Sequence, residues 1–360
     1  MTKRTRFRAR HPGVFFLDEH DLVGLEAYMR ARGWLVVGES IRAATKAGHG
    51  NMNCTLRLET TERRVIMKQA RPWVEQYDEI PAPSERALVE GRFYEAIGPH
   101  SVLQDRMPRL LGCDPEAKLL MLEDLGPTSD YTNLYAGHTL DPRDLDALVA
   151  FLGSLHRTFS NSEGDGRFAN QAMRELNHLH IFEFPLDSEN GLDLNAINPG
   201  LSEAAAELRR DADYTKAVSA LGELYLRSPG TLVHGDFFPG SWLRTKNGPR
   251  VIDPEFSFVG PPEFDVGVMI AHLYLANQPI GLVQRALAAY ADGLSVPQTG
   301  KSQELVSSFA GAEIMRRLIG IAQLPLVADL PRKRALLELS RTFLLSPATG
   351  CGSATGRGGL

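Results

Sequence analysis

Apolar residues in this chain change their spacing once, and that change limits the folds open to it. Between Ile41 and Gln69 they alternate or cluster in short runs: "NCTLRLE" and "RRVIMKQ" flank the polar turn "TTER" and read as a β-hairpin. A further strand, "KLLMLEDL", precedes Gly126 and Pro127. Beyond that pair, "DLDALVAFLGSLHRTF", "LSEAAAELRRDADYTKAVSALGELYLR", "EFDVGVMIAHLYLA", "GLVQRALAAYADGL" and "ELVSSFAGAEIMRRLIGIAQL" space their apolar residues three and four apart, as amphipathic helices do. Only "TLVHG", "SWLRT" and "RVIDP" interrupt that pattern. The first part has helical spacing too, in "DEHDLVGLEAYMRARGW" and in "PSERALVEGRFYEAI", the latter with Ser84 as N-cap and Gly98 past its end. The class is α+β: an antiparallel sheet with one helix, then a mostly helical part, with the boundary near Pro127.

At 360 residues the chain exceeds what one hydrophobic core usually serves. The expected division is an N-terminal lobe over 1–126, a helical lobe over 127–346, and a Gly- and Ser-rich disordered tail over 347–360. A formal charge of -5 gives no reason to expect a nucleic-acid or membrane partner, and no stretch approaches the ~18 apolar residues of a membrane-spanning helix. The basic opening "MTKRTRFRAR" is followed by no apolar region and reads as a disordered tail rather than a signal peptide. Cys54, Cys113 and Cys351 share no metal-type spacing, and their odd number points to reduced thiols in the cytoplasm. The expected partner is a small molecule.

Phosphoryl transfer from ATP needs the phosphates held, their charge neutralised, and an acceptor hydroxyl placed in line with the terminal phosphorus. "KAGHGNMN" brings Gly48, Gly50 and Asn51 directly before a strand, where backbone N–H groups approach phosphates most closely. Lys68 ends the next strand, and Glu90 lies one helix downstream as its partner, with Glu85 and Glu95 as competitors on the same helix. In "LVHGDFFPGSWL", His234, Asp236 and Ser241 follow the His-x-Asp-x-x-x-x-Asn layout of a catalytic loop, with Ser in the last place. "RVIDPEF" then delivers Asp253 and Glu255, hard oxygen donors suited to Mg2+. Asp236 is placed to polarise the acceptor hydroxyl, whereas His234 is read as a brace beneath the loop.

These residues resemble the protein-kinase-like small-molecule kinases, the family of aminoglycoside phosphotransferases and choline kinases, and within it the methylthioribose kinases. "GHGNMN", "IMKQA", "LMLEDL", "LRRDADYTKAV", "HGDFFPGS", "VIDPEFSFVGPPEFDVG" and "GAEIMRRLIGIAQL" occur in the family's order. The resemblance implies a two-lobed kinase-like fold, ATP and Mg2+ as cofactors, and a possible homodimer. It implies Asp236 as the catalytic Asp, Asp253, Glu255 and Ser241 at the metal, and Lys68 on the phosphates. Leu122 to Leu125, including Glu123, would form the hinge that receives adenine, and Arg316 and Arg317 would steady the transferring phosphate or the sugar oxygens. The implied acceptor is a 5-substituted ribose such as 5-methylthioribose, phosphorylated at its anomeric hydroxyl. An aminoglycoside, an amino alcohol or another natural-product hydroxyl is the alternative, and a non-catalytic nucleotide-binding protein is the alternative of another class. Two departures touch the acceptor: Phe237, Phe238 and Pro239 stand where the family has Leu-His-Thr, and Ile80 stands near a family Trp.

Overall fold

The computed structural model describes residues 2–48, 52–160, 162, 166–293 and 299–349, and the chain divides into two compact units, Met1–Thr128 and Ser129–Leu360.

The first unit is built on a five-stranded antiparallel sheet: β1 (Ile41–Lys46), β2 (Cys54–Thr60), β3 (Arg64–Gln69), β4 (Leu110–Asp114) and β5 (Leu119–Glu123), ordered β1-β2-β3-β5-β4. The hairpin forms in the register that pairs Cys54 with Gln69 and Leu58 with Val65. Alternate residues Leu56, Leu58, Val65, Met67, Leu119 and Met121 are buried together with Leu25 and Met29 of helix α2 (Leu22–Ala31). Because successive strand residues face opposite sides, Lys68 is turned away from Met67 and its cluster, towards helix α3 (Arg86–Ile97). Ser84 does not cap α3: Glu85 holds the cap position, with no side-chain hydrogen bond there. A one-turn helix, α4 (Ser101–Gln104), follows.

The basic opening stretch is ordered, against the sequence expectation. Helix α1 (Lys3–Arg10) buries Phe7 beside Phe16 and Trp73, and Thr2 caps it by accepting the Thr5 N–H. Its cations find carboxylates far along the chain: Lys3 meets Glu75, Arg4 meets Asp18 and Asp21, and Arg6 meets Asp78. Gln69 adds a second tie, its amide donating to Phe15 O and Ala117 O and accepting the Leu17 N–H.

The second unit is mostly helical: α5 (Pro142–Thr158), α6 (Gln171–His178), α7 (Leu194–Ile197), α8 (Leu201–Arg209), α9 (Ala212–Arg227), α10 (Glu263–Leu275), α11 (Ile280–Gly293), α12 (Gly300–Ile319) and α13 (Leu330–Leu345). The single helical run expected over 201–227 is broken at Asp211, whose carboxylate accepts the Tyr214 N–H and starts α9 as a new helix. Short strands β6 (Ser129–Asp130), β8 (Trp242–Thr245) and β9 (Gly248–Val251) form one small sheet, and β7 (Thr231–Val233) pairs with β10 (Phe258–Gly260) in another. Helices α10 and α12 approach closely because Gly267 stands where a Cβ would collide with Phe309. Residues 309–319 of α12 are buried, Glu313, Arg316 and Arg317 among them. Residues Pro347–Thr349 form one further helical turn. Among the described residues, no helix is long and apolar enough to cross a membrane.

Candidate active site

In the first unit, Lys68 and Glu90 form a buried pair: Nζ lies 2.8 Å from Oε2 and 3.0 Å from Oε1, with side chains 5% and 1% exposed. Glu85 meets Lys118 instead, at 3.6 Å. Of the phosphate-loop candidates, Gly48 has φ +73, a conformation natural to glycine, while Gly50 and Asn51 lie outside the described residues. Glu123 and Leu125 sit at the end of β5 and just after it. Glu123 accepts from the backbone and the guanidinium of Arg109.

Two arginines that the spacing of motifs does not single out shape this region. Arg57 grips Asp124 with two bonds of 2.9 and 3.0 Å and donates to Gly126 O, fixing the segment that leaves β5. Arg86 is wholly buried in the first turn of α3, where the helix dipole disfavours a cation. Its donors instead collect Asn53 Oδ1 and the carbonyls of Met52, Arg71 and Pro83. The start of β2 is thereby tied to the helix that carries Glu90.

In the second unit, the catalytic-loop candidate leaves β7 and turns back under Asp265 of α10. The Asp265 carboxylate accepts the N–H groups of His234 at 2.7 Å and Gly235 at 2.9 Å, and meets His156 Nε2 at 3.1 Å. His234 is fully buried, with Nε2 donating to Ile252 O at 3.0 Å and Nδ1 accepting the Asp236 N–H at 3.3 Å. It braces the loop against the strand that precedes Asp253. Gly235, at φ +85, lies so close to the Phe256 carbonyl that any Cβ would strike it. Ser241 accepts the Ile252 N–H on its carbonyl, a second tie between the same two segments.

Asp253 and Glu255 emerge beyond β9. Asp253 has φ 63, a left-handed conformation that Asp adopts more readily than most residues with a Cβ. Asn170 holds the far side of this turn, donating to Glu255 O at 3.0 Å and Ser257 O at 2.9 Å. Among the described residues no cluster of three or more His, Cys, Asp or Glu is arranged as a metal cage. Two adjacent carboxylates suit Mg2+, which takes one or two protein oxygens and completes its octahedron with water and phosphate.

Asp236 faces α12. Its Oδ1 lies 3.5 Å from Arg317 Nη2, and Arg317 Nε donates to Glu313 at 2.5 Å. Glu313 also accepts from Arg316 at 3.2 Å and from His272 Nε2 at 3.1 Å. Because Nε2 carries the proton there, His272 Nδ1 accepts from the Tyr135 hydroxyl at 2.6 Å, and the imidazole is neutral. Burial, with the two arginines adding to it against Glu313, lowers the His272 pKa to about 4. Burial alone would raise the Glu313 carboxyl, but Arg317 and Arg316 hold it well below the usual range. At Asp236 the balance goes the other way: burial pushes the carboxyl up to about 6 against the pull of Arg317 and Arg316.

The two phenylalanines differ. Phe237 is core, stacked 6.1 Å from Phe151 and packed on His234 and Trp242. Phe238 is half-buried, its ring 4.8 Å from the Arg317 guanidinium carbon and 5.2 Å from the His272 ring.

Residues 43–299, well over half the chain, match the model of the phosphotransferase enzyme family. The chain belongs to that family. Methylthioribose kinase of Exiguobacterium sibiricum is 28% identical over 92% of this chain and 94% of its own length. Methylthioribose kinase of Bacillus cereus strain G9842 is 24% identical over 82% and 84%. Among solved structures, choline kinase from Cryptosporidium parvum superposes with a TM-score of 0.52 at 15% identity, covering 92% of this chain and 98% of that one. The gentamicin-APH(2")-IIa complex gives 0.51 at 15% identity, covering 92% and 97%. These likenesses establish the kinase-like fold. As a member of the phosphotransferase family, the protein is an ATP-dependent small-molecule kinase whose acceptor is a hydroxyl.

Besides Arg57 and Arg86, sequence reading missed Asp265, His156, Asn170, His272 and Glu313 in this kinase. Glu313 alone had a local signal, since it stands three and four residues before Arg316 and Arg317 on one helix face.

Proposed function

We propose that the protein is a Mg-ATP-dependent kinase of a 5-substituted ribose, best represented by 5-methylthioribose, acting on the anomeric hydroxyl. The observation that carries this reading is the Asp236–Arg317 juxtaposition, a carboxylate that accepts a proton beside a guanidinium that steadies anionic oxygen. Similarity to methylthioribose kinases along almost the whole chain supports the acceptor class. The paired arginines favour an oxygen-rich or anionic group over the ammonium of an amino alcohol.

In the proposed reaction the acceptor oxygen bonds to the γ-phosphorus as the bond to ADP breaks, and the hydroxyl proton passes to Asp236. Arg316 and Arg317 balance the charge on the transferring group. Lys68, oriented by Glu90, contacts the ATP phosphates, with Gly48, Gly50 and Asn51 in the loop before β2. The chain from Leu122 to Leu125, including Glu123, offers backbone groups to adenine. Asp253 and Glu255, with Ser241, would hold Mg2+, which would supply charge neutralisation to the phosphates.

The test is incubation with Mg-ATP and a panel of methylthioribose, 5-deoxyribose, ribose, choline and aminoglycosides, read as product mass. A phosphorylated 5-substituted ribose, with loss of the free anomeric carbon signal by NMR, is the expected result. Phosphorylation of choline or an aminoglycoside alone would overturn the acceptor assignment.

A further inference from the structure

Arg317 has two carboxylates within reach and is hydrogen-bonded to only one. Its Nε donates to Glu313 at 2.5 Å, while its Nη2 stands 3.5 Å from Asp236, beyond the ordinary range of an N–H···O bond. Left to itself, a guanidinium closes on a neighbouring carboxylate with two parallel bonds. Here the competing carboxylate is rigidly held.

Glu313 is 1% exposed and gripped by Arg316, Arg317 and His272. His272 is gripped in turn by Tyr135, whose carbonyl accepts the Val327 N–H. Phe238 covers Arg317 and His272 together. The charges also balance: two guanidinium groups face two carboxylates, Glu313 and Asp236, across a neutral imidazole. Neutralising Glu313 leaves Asp236 as the carboxylate that Arg317 already approaches at 3.5 Å.

We propose that Glu313 is a positioning residue for phosphoryl transfer, holding Arg317 off Asp236 so that the Asp236 carboxylate stays free for the acceptor hydroxyl. The inference rests on Asp236 being the catalytic carboxylate. A purely structural role, in which Glu313 only neutralises buried arginines, predicts lost stability without any change at Asp236.

The experiment compares the parent enzyme, Glu313→Gln and Asp236→Asn by crystal structure and by kinetics with Mg-ATP and 5-methylthioribose. In Glu313→Gln, Arg317 Nη2 is expected to close to about 2.9 Å from Asp236. Its kcat should fall about 30-fold or more, with the KM for ATP nearly unchanged. Arg317 staying at its parent distance, or kcat holding within about threefold, overturns the proposal. Should Glu313→Gln not fold, Glu313→Asp keeps the charge and draws Arg317 away from Asp236. An unchanged Arg317 position in that variant overturns the proposal too. If the parent does not phosphorylate methylthioribose, the acceptor reading fails and the Arg317–Asp236 distance alone decides. Full activity in Asp236→Asn would overturn both this inference and the assignment of Asp236.

Discussion

Phe238 lies over the guanidinium of Arg317, its ring centre 4.8 Å from the Arg317 Cζ. The ring presents an apolar surface two residues from Asp236. Phe238→His should therefore narrow the preference for an acceptor with an apolar 5-substituent. The ratio of kcat/KM for methylthioribose over ribose is expected to drop about 10-fold, the scale of one apolar contact. A ratio that does not move would show that Phe238 faces no part of the acceptor.

The Asp236 carboxyl is pushed up to about 6 by burial, with the two arginines pulling against it. As pH falls through that value the carboxylate takes up a proton and can no longer accept one from the acceptor. In the free enzyme kcat/KM should fall below about pH 6. The stability sign is opposite: between about pH 4 and that value the native state binds a proton that the unfolded chain does not, so this site stabilises the fold as pH drops. Asp236→Asn should abolish both trends, in a pH–rate profile and in the pH dependence of Tm, and lower kcat by about 10²- to 10⁴-fold.

Glu90→Gln leaves the Lys68 ammonium buried beside a neutral amide. Breaking a buried pair from one side costs about 3–5 kcal/mol, and the lysine loses the group that orients it. The expected result is a lower Tm with a raised KM for ATP. A double variant, Lys68→Met with Glu90→Gln, should recover much of the stability and none of the activity, as thermal unfolding and nucleotide titration would show.

Asp253→Gly removes a Cβ from a left-handed position. Relief of that strain offsets the extra freedom that glycine gives the unfolded chain, so stability should hold within about 1 kcal/mol or rise. Turnover should fall about 100-fold or more, with a weakened response to Mg2+ titration. A variant that loses stability and keeps turnover would remove Asp253 from the metal assignment.

Much of this was readable locally. The β2–β3 hairpin follows from two apolar runs around "TTER", and the sequence offered Glu85, Glu90 and Glu95 as partners for Lys68, of which the structure pairs Glu90. What escaped was held by distant partners. Helix α1 looks like a solvated tail because Phe7 is its only large apolar residue, and its cations are matched by Asp78 and Glu75, some seventy positions away. Asp265 reads as one more helix residue in "EFDVG", since nothing nearby says that its carboxylate collects the N–H groups of His234 and Gly235. His272 is equally silent, a polar residue on a helix buried along its whole length.

The Glu313 network also constrains how such a chain drifts. Arg316, Arg317 and His272 all converge on Glu313 inside the protein, so replacing Glu313 takes a partner from all three at once. Single substitutions there are nearly closed to selection, whereas joint replacement is open. Descendants of this sequence that abandon the arginine pair should have surrendered the acid at 313 in the same lineage.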